Sequence, residues 1–497
     1  MRFEIRGLLK FSSDLQPAAG EVEELISRSK ELLKRGVPEG GTGAVLTGWR
    51  LMGKDMELHL ESGRHVRAHD ALLRIARLMG EELGKRRKIG LRGVTIIEGR
   101  IMIPGKLDEE NLSRMSVHPF QLRNMEEGIE IKFEGLGESE IRGRTIDRMV
   151  SSVLDALSAA NVERTGPKVV RRGNELPHPF REDPFEACVR EGWITEFPGR
   201  GQWIYAEPYA ALMHAIEDMI VERIALPMGF REVMLPKLIP IPVMRRMPGY
   251  LDSVPEGMYY VCPPPRDPEA FSKFKASLRL TGRIPVDELR KVLKEPSYVL
   301  APAQCEPFYQ AFSGRRVRLE DLPLKQYDRS GWTYRWEGGG VEGLIRTQEF
   351  RRIEFVFMGS PDDVTSIRDE VVERAIGLMD ELGLEWRLLV ATPFYLREGE
   401  TGSSEKAGVA TYDLEALLPY SGEWLELGSY NVHRDRFAKS FKIKEVRNRD
   451  IWTGCCGFGT SRWVVGFLAQ HGLDGERWPP AVRKKVGKLP SAFKAVE

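Results

Sequence analysis

Residues 334–340 (YRWEGGG) and 343–357 (GLIRTQEFRRIEFVF) form two runs on either side of a glycine-rich loop. Such runs, joined by a turn, predict two strands. If the second run is a regular strand, its side chains alternate between two faces. One face would then be polar along much of its length, with the residues Arg346, Gln348, Phe350, Arg352 and Glu354.

A second informative segment, residues 457–463 (GFGTSRW), precedes the apolar helical run 464–468. It predicts a strand-to-helix junction with Arg462 at the start of the helix, where backbone amides and a guanidinium can hold an anionic phosphate. Its Gly-x-Gly pattern is weak alone, because glycine pairs are common in turns. The order of segments is more specific, since residues 229–236 (GFREVMLP) and 335–346 come before it.

These three segments resemble, in order, the three motifs of class II aminoacyl-tRNA synthetases. The resemblance implies that Pro236 lies at a homodimer interface, and that Arg335 and Arg462 contact the α- and γ-phosphates of ATP. It also places Glu337 and Arg346 in the second motif. Adenylate formation needs a carboxylate held in line with the α-phosphate while guanidinium groups offset growing negative charge. The fixed fork of arginine serves this task better than lysine does.

Two further segments narrow the choice of amino acid substrate. Residues 411–415 (TYDLE) and 424–431 (WLELGSYN) resemble strands of seryl-tRNA synthetases, although either segment alone would favour an ordinary core strand. In that family the matching Glu426 and Ser429 hold magnesium on ATP, and Asn431 lies beside the serine. The implied ATP site consists of Arg335, Glu337, Arg346, Thr347, Glu426, Ser429 and Arg462. The implied serine site consists of Ala303, Arg335, Glu337 and Asn431.

Two departures from the common bacterial pattern narrow the family. The amino-terminal region mixes short helices and strands instead of forming a long coiled-coil arm, and residues 300–307 (LAPAQCEP) replace the usual Thr-x-Glu serine loop. Both features resemble the methanogen-type (type-2, zinc-dependent) archaeal seryl-tRNA synthetases, from end to end of the chain. The resemblance implies an α+β fold: an α/β amino-terminal tRNA-binding domain at 1–165, then a catalytic domain at 166–497 with an antiparallel class II sheet, flanking helices and a helix-turn-helix insertion at about 267–296.

In that family two cysteines and one glutamate bind zinc, and these ligands fall here at Cys305, Glu354 and Cys455. Three protein ligands leave a fourth zinc position open, where the amino group of serine would bind. Pocket walls fixed relative to the metal would then reject the extra methyl group of threonine. Adjacent cysteines point to opposite sides of a strand, so Cys455 and Cys456 cannot both face one metal. The family likeness favours Cys455, and Cys456 stays open as the alternative.

The composition of the chain limits the kinds of partner and compartment that can be expected. The 497-residue chain has 74 lysines and arginines against 73 aspartates and glutamates, so its net charge does not call for a polyanionic partner. No apolar run is long enough to cross a bilayer, and five cysteines are too few, and odd in number, for a disulfide framework. We expect a cytoplasmic protein with reduced thiols and neither a membrane nor a DNA partner, in which Cys188 and Cys262 are core residues.

The amino-terminal region has its own pattern of elements. Helices are expected at 17–34, 68–83 and 144–157, strands at 3–5, 44–51 and 56–62, and a linker at 163–179. The basic run Lys85, Arg86, Arg87 and Lys88 is typical of a solvated helix end and is also a candidate for contacts with tRNA phosphates.

The expected reaction joins serine to tRNA(Ser), with tRNA(Sec) as a further candidate acceptor, at the expense of ATP. The expected enzyme is a homodimer with one zinc per subunit and magnesium bound with ATP. Two alternatives remain: a class II synthetase for another small amino acid such as threonine, and a catalytically inactive tRNA-binding paralogue. The lack of a Cys/His/His zinc set argues against the first, and the retained ATP-binding arginines argue against the second.

Overall fold

A computed structural model of the chain describes residues 1–35, 37, 43–63, 65–160, 168–338, 340–392, 403–404 and 408–492. The chain divides into two compact units, Met1–Arg164 and Thr165–Glu497. Residues 163–167 of the expected linker and Gly339 of the glycine-rich loop lie outside the described residues. The expected division into a tRNA-binding and a catalytic domain at residue 165 therefore stays a prediction.

A six-stranded antiparallel sheet forms the frame of the first unit, with strand order β2-β3-β1-β4-β6-β5. Its strands are β1 Arg2–Phe11, β2 Val45–Met52, β3 Asp55–Ser62, β4 Leu91–Ile103, β5 Phe120–Met125 and β6 Gly128–Gly137. The helices are α1 Ala19–Leu32, α2 Ala68–Arg87, α3 Glu109–Met115, α4 Glu138–Arg142 and α5 Thr145–Ala160. The helices and strands expected from the sequence in this region are confirmed.

The two faces of this sheet differ in polarity. Alternate residues of β1, beginning with Phe3 and Ile5, pack in one core with Leu25 of α1 and Leu72 of α2. The other face is charged, and the side chain of its buried Glu57 accepts hydrogen bonds from an arginine on β2. This alternation is what period-2 patterning produces when helices cover one side of a sheet.

An eight-stranded sheet forms the frame of the second unit, with strand order β8-β9-β10-β14-β13-β12-β11-β7. All neighbouring strands are antiparallel except the short β8, which runs parallel to β9. The strands are β7 Lys168–Arg172, β8 Arg231–Glu232, β9 Leu324–Asp328, β10 Ile353–Gly359, β11 Trp386–Ala391, β12 Thr411–Leu418, β13 Glu423–Arg434 and β14 Trp452–Phe458.

Helices and short paired strands surround this sheet. The helices are α6 Pro184–Arg190, α7 Glu207–Ile220, α8 Ile241–Met244, α9 Tyr250–Ser253, α10 Ser272–Thr281, α11 Val286–Val292, α12 Glu306–Ala311, α13 Pro361–Glu381, α14 Arg436–Ser440, α15 Thr460–His471 and α16 Pro480–Val486. The short pairs are Ile194–Glu196 with Trp203–Tyr205, Leu238–Pro240 and Tyr260–Val261 with Tyr298–Leu300, Arg316–Val317 with Lys444–Glu445, Trp332–Tyr334 with Glu349–Arg351, and Ser403–Ser404 with Gly408–Val409. Helices α10 and α11 lie within the expected helix-turn-helix insertion. None of the described helices combines the length and apolarity needed to cross a membrane.

Two hydrophobic cores cover the two faces of this sheet. Every residue of β10 is buried, because both of its faces are covered. Phe355 and Cys456 pack in one core with Trp463 of α15. Val356 packs in the other core with Phe437 of α14.

Alternation had predicted one regular strand for the second run of the opening segment, but the run does not form one. Glu349–Arg351 pairs with Trp332–Tyr334, whereas β10 joins the main sheet, so the chain changes pairing partners at Arg352. Gln348 comes just before the short strand and is buried away from the expected face, where its Oε1 accepts hydrogen bonds from the Tyr259 hydroxyl and the Glu337 amide. Phe350, Arg352 and Glu354 still share one face, as expected.

Candidate active site

One cavity of about 380 Å³ opens on the face of the main sheet that Val356 and Phe437 cover. It collects side chains from β10, β12, β13 and β14, together with those of the loops before α12 and α15. The residues that the sequence singled out for ATP, serine and metal binding all line it. They are Ala303, Cys305, Arg335, Glu337, Arg346, Thr347, Glu354, Glu426, Ser429, Asn431, Cys455 and Arg462.

Cys305, Glu354 and Cys455 form a buried group suited to a metal ion. One ligand atom from each lies within 4.8 Å of the other two, and among the described residues no other such group of His, Cys, Asp or Glu occurs. The hydrogen bond to Cys455 and burial raise the pKa of the Cys305 thiol well above its ordinary value. The same hydrogen bond lowers the pKa of Cys455, but burial and the Glu354 carboxylate outweigh it, and the pKa rises to about 11. Metal binding would therefore release protons from both thiols.

The sheet separates the two neighbouring cysteines. Cys455 lies opposite Val356 on β10 and belongs to the core on the cavity side, whereas Cys456 lies opposite Phe355 and belongs to the core on the other side. The alternation of side chains in a strand therefore gives Cys455 to the metal group and Cys456 to packing.

The Glu354 carboxylate is held from one side only. Its Oε2 accepts a hydrogen bond from Arg352 Nε at 2.7 Å, while Oε1 is buried without a hydrogen bond of normal geometry. The Cys455 thiol is a polar neighbour of the carboxylate. Burial raises the pKa of Glu354, although the charge of Arg352 opposes this shift. A buried carboxylate oxygen left for a further partner, beside two cysteine sulfurs, matches the donor set that zinc prefers.

The backbone around Cys305 is constrained. Gln304 has a φ of +76°, in the left-handed region that residues other than glycine seldom adopt. Its buried amide donates a hydrogen bond to Thr333 Oγ1 at 2.8 Å, and Glu306 Oε1 accepts one from the Ala303 amide at 3.1 Å. These contacts fix the turn that points Cys305 toward the cavity, and such strain is common at functional sites.

Charged side chains cluster around Arg462 at the start of α15. Its Nε donates to the carbonyl of Ile345 at 3.2 Å, and its Nη1 donates to the carbonyl of Glu426 at 3.2 Å. Burial lowers the pKa of Arg462, and the charges of the nearby Arg335 and Arg346 lower it further. Three guanidinium groups and the amino end of a helix thus share one wall, which favours a polyanion such as the phosphates of a nucleotide.

A polar row on β12 and β13 completes the cavity. Thr411 Oγ1 donates a hydrogen bond to Asn431 Oδ1 at 2.8 Å, and Asn431 Nδ2 donates to Ser429 Oγ at 3.3 Å. Burial, and then the negative charge of Glu426, raise the pKa of Asp413 to about 7. Two neighbouring carboxylates that repel each other favour a divalent cation between them.

Sequence reasoning missed several residues of this cavity. Asp413 and Thr411 belong to the quoted TYDLE segment but were not selected, although their alternation with Ser429 and Asn431 across two paired strands would have indicated them. His433, two residues beyond Asn431 on the same strand, also lines the cavity. Its place on the Asn431 face was readable from period 2 once the strand was assigned.

Two other predicted contact sites are not among the residues that line this cavity. Two of the four charges in the basic run at the end of α2 form ion pairs: Arg86 pairs with Glu24 and Glu82, and Arg87 pairs with Glu21. The pairs with Glu24 and Glu21 link α2 to α1, whereas Glu82 lies on α2 itself. Pro236 is exposed in the single chain, on the segment between β8 and the strand Leu238–Pro240.

Comparisons with known proteins agree with the geometry. Residues 1–155 match a family described as a tRNA-binding domain, and residues 291–471 match the tRNA synthetase class II core domain (G, H, P, S and T). The chain is 40% identical over 502 residues to the type-2 serine–tRNA ligase of Methanothermobacter thermautotrophicus, covering 98% of this chain and 97% of the relative. It is also 40% identical over 518 residues to that of Methanococcus maripaludis, covering 100% and 99%.

Solved structures give the same picture. The crystal structure of M. kandleri SerRS in complex with A. aeolicus tRNASec matches with a TM-score of 0.83 and 36% identity, covering 100% of this chain and 99% of the other. The cytoplasmic serine–tRNA ligase of Naegleria fowleri, solved with AMP, shares the fold at a TM-score of 0.52 and 16% identity over 70% and 71% of the two chains. The full-length relatives and the class II core decide the assignment: the chain belongs to the type-2 serine–tRNA ligases, a family of class II aminoacyl-tRNA synthetases.

Proposed function

We propose that this cavity activates L-serine with ATP to form seryl-adenylate and then transfers the seryl group to tRNA(Ser). The observation that carries the proposal is the meeting, in one cavity, of the Cys305, Glu354 and Cys455 group with the arginines around Arg462. The first group suits an amine-binding metal, and the second suits the phosphates of a nucleotide.

The proposed metal is zinc, one per subunit, held by Cys305, Glu354 and Cys455. Two thiolates and one carboxylate fit zinc, and three ligands leave a fourth position for a substrate. When bound, zinc supplies a Lewis-acid position for the amino group of serine. Arg352 holds the Glu354 carboxylate in place, because its guanidinium bonds one carboxylate oxygen and leaves the other for the metal.

The proposed ATP site uses Arg335, Glu337, Arg346, Thr347 and Arg462. Arg335 offsets charge at the α-phosphate and Arg462 at the γ-phosphate, which are the two catalytic roles we assign. The serine carboxylate attacks the α-phosphorus, and pyrophosphate leaves with the electron pair of the broken P–O bond. Positioning and charge stabilisation suffice, so the chain need not supply a base or a nucleophile. Magnesium bound with ATP would be held by Glu426 and Ser429.

The proposed serine site lies between the metal group and the arginines. Ala303, Arg335, Glu337 and Asn431 contact the amino acid. The hydrogen bond from Thr411 fixes which face of the Asn431 amide points inward, and a fixed amide can read a small polar side chain. A buried wall beside a metal-anchored amine leaves little space for an added methyl group, which gives discrimination against threonine.

The proposed partners follow from the same family likeness. The amino-terminal unit would bind tRNA(Ser), and tRNA(Sec) is proposed as a further acceptor because the M. kandleri relative was solved with a tRNASec. We also propose a homodimer that makes contact through the Pro236 segment, where Met234 and Leu238 are both exposed in the single chain. We place the enzyme in the cytoplasm, because thiolate ligands require reduced cysteines.

Amino acid-dependent ATP–pyrophosphate exchange, measured with all twenty amino acids and magnesium, tests this function. Serine should support the fastest exchange, and the charged product should appear when tRNA(Ser) is added. Faster exchange with threonine or alanine, or none with serine, would overturn the proposal. Charging of tRNA(Sec) transcripts tests the second acceptor separately.

A further inference from the structure

A buried histidine lies next to the proposed metal group, in contact with Cys455. His433 lies on β13 with 2% of its surface exposed, and its Nε2 is 3.5 Å from Cys455 Sγ. The ring also lines the cavity wall beside Asn431, whose Nδ2 lies 4.0 Å from the same sulfur. Two nitrogen atoms therefore point at one cysteine.

The other ring nitrogen faces two hydroxyl groups. Nδ1 lies 3.2 Å from Thr453 Oγ1 and 3.3 Å from the Tyr309 hydroxyl. Thr453 precedes Cys455 by two residues on β14, and Tyr309 lies on α12, which begins directly after Cys305. A hydroxyl can donate or accept, so both groups can adapt to whichever tautomer the ring takes.

The first question is whether His433 is itself a metal ligand. Zinc bonds of about 2.0–2.3 Å place the ligand atoms of a tetrahedral site roughly 3.3–3.8 Å apart, so the single distance to Cys455 does not decide. The arrangement of all the candidate ligand atoms decides whether His433 is a ligand. Within the described part of the chain, only Cys305, Glu354 and Cys455 bring three ligand atoms within 4.8 Å of one another, and His433 does not join them.

The second question is which atom carries the hydrogen. A cysteine that binds metal is a thiolate, which accepts hydrogen bonds and cannot donate them. A ring nitrogen that contacts a thiolate favourably must then bear the proton, whether the ring is neutral or charged. In the neutral ring Nδ1 would accept from the hydroxyl groups of Thr453 and Tyr309.

We propose that His433 is a positioning residue that donates an Nε2–H hydrogen bond to the Cys455 thiolate in the metal-loaded enzyme. This inference rests on the proposed zinc site and deepens it. The hydrogen bond fixes the direction of the sulfur and withdraws electron density from it, which makes the bound metal a stronger acceptor for the amino group of serine. The thiolate selects this tautomer, and the hydroxyl groups of Tyr309 and Thr453 then donate to Nδ1, which strengthens the Nε2–H donor.

The test replaces zinc with Co(II) in the full-length enzyme and compares two variants. His433→Phe removes the donor but keeps a ring, whereas His433→Gln keeps an N–H near the Nε2 position and is the matched control. We expect His433→Phe to weaken zinc binding, measured by competition with a chromophoric chelator, by about 10–100-fold. Its sulfur-to-cobalt charge-transfer band should move to longer wavelength, and its KM for serine should rise without a matching rise for ATP. His433→Gln should stay closer to the wild type in all three measurements.

A double variant keeps the test decisive if His433→Phe does not fold. Tyr309→Phe with Thr453→Val leaves the imidazole in place but removes both hydroxyl groups that face Nδ1, so the band should shift in the same direction. An unchanged zinc affinity and band in His433→Phe, or an unshifted band in the double variant, would overturn the proposal. Loss of a coordinating nitrogen in X-ray absorption spectra of both His433 variants would also overturn it, because His433 would then be a ligand. A wild-type enzyme that binds neither zinc nor Co(II) would instead refute the proposed metal site.

Discussion

The buried Glu217 on α7 and the partly buried Arg351 form a two-pronged ion pair, with Arg351 Nε and Nη2 at 3.0 and 2.8 Å from the two carboxylate oxygens. The pair continues into the start of α15, where Thr460 Oγ1 donates to Glu217 Oε1 and the Arg351 amide donates to Ser461 Oγ. One buried carboxylate therefore joins three segments of the catalytic unit directly before Arg462.

The first prediction concerns this carboxylate. Glu217→Gln leaves Arg351, whose side chain is 19% exposed, without its counter-ion. Breaking such a largely buried pair costs about 3 kcal/mol, the lower end of the range for buried pairs. We expect a loss of this size in urea unfolding, together with a raised KM for ATP, because the start of α15 loses an anchor. Glu222→Gln is the matched control. Its carboxylate is 42% exposed and bonds Lys485, so its loss should cost less than about 1 kcal/mol. Equal losses in the two variants would contradict the structural role of Glu217.

The second prediction concerns the close approach of Arg352 to β14. A Cβ atom at Gly457 would lie 2.0 Å from Arg352 Nη2, so Gly457→Ala must displace the guanidinium that holds Glu354. We expect the kcat/KM for serine in pyrophosphate exchange to fall by about 100-fold, the scale set by a misplacement of about 1 Å. Gly377→Ala on α13, where an added Cβ meets nothing within 4 Å, should leave exchange unchanged. Normal exchange in Gly457→Ala would show that the Arg352 position is not required.

The sequence predicted which residues meet in this cavity better than it predicted the path of the chain. Cys305, Glu354 and Cys455 come from segments far apart in the sequence, and only the motif order of a known family brought them together. The expected alternation failed at Gln348, which lies before the paired residues Glu349–Arg351, because the point where a strand begins depends on its neighbours in three dimensions. Periodicity describes one strand at a time and carries no information about its partners.

The buried His69 on α2 allows the pH dependence of stability to be predicted for the first unit. Burial lowers its pKa to about 4, with Asp70 opposing and Arg67 and Arg144 adding to the shift. Asp147 Oδ1 lies 3.3 Å from the ring, yet that carboxylate already bonds both arginines, so its charge is largely compensated. The ring is therefore neutral in the folded protein at neutral pH.

The third prediction follows from this shift. In the unfolded chain a histidine has a pKa of about 6.5, so between pH 6.5 and 4 the unfolded state binds a proton that the folded state does not. Stability is therefore fully present above pH 6.5, falls as the pH drops through that value, and levels off below about pH 4. The expected loss is about 3 kcal/mol, at 1.36 kcal/mol per unit of pKa. We expect urea unfolding of the full-length protein to show that the unfolding free energy of His69→Gln depends less on pH across this range. His118→Gln, which changes an exposed histidine, should keep the wild-type dependence on pH. An unaltered slope in His69→Gln would disprove the assignment.

The fourth prediction separates the two neighbouring cysteines by their faces of β14. Cys455→Ala removes a ligand from the cavity, so it should abolish stoichiometric zinc and reduce serine-dependent exchange to background, and added zinc should not restore either. Cys456→Ala removes a sulfur from the opposite core, beside Phe458 and Trp463, and should keep full zinc content. Its cost should be limited to about 1–2 kcal/mol of unfolding free energy from the small cavity left behind. Treating the wild type with a chelator should imitate Cys455→Ala but be reversed by zinc. If Cys456→Ala lost the metal and Cys455→Ala kept it, β14 would have to present its other face to the cavity, and the register of Cys455 opposite Val356 would be wrong.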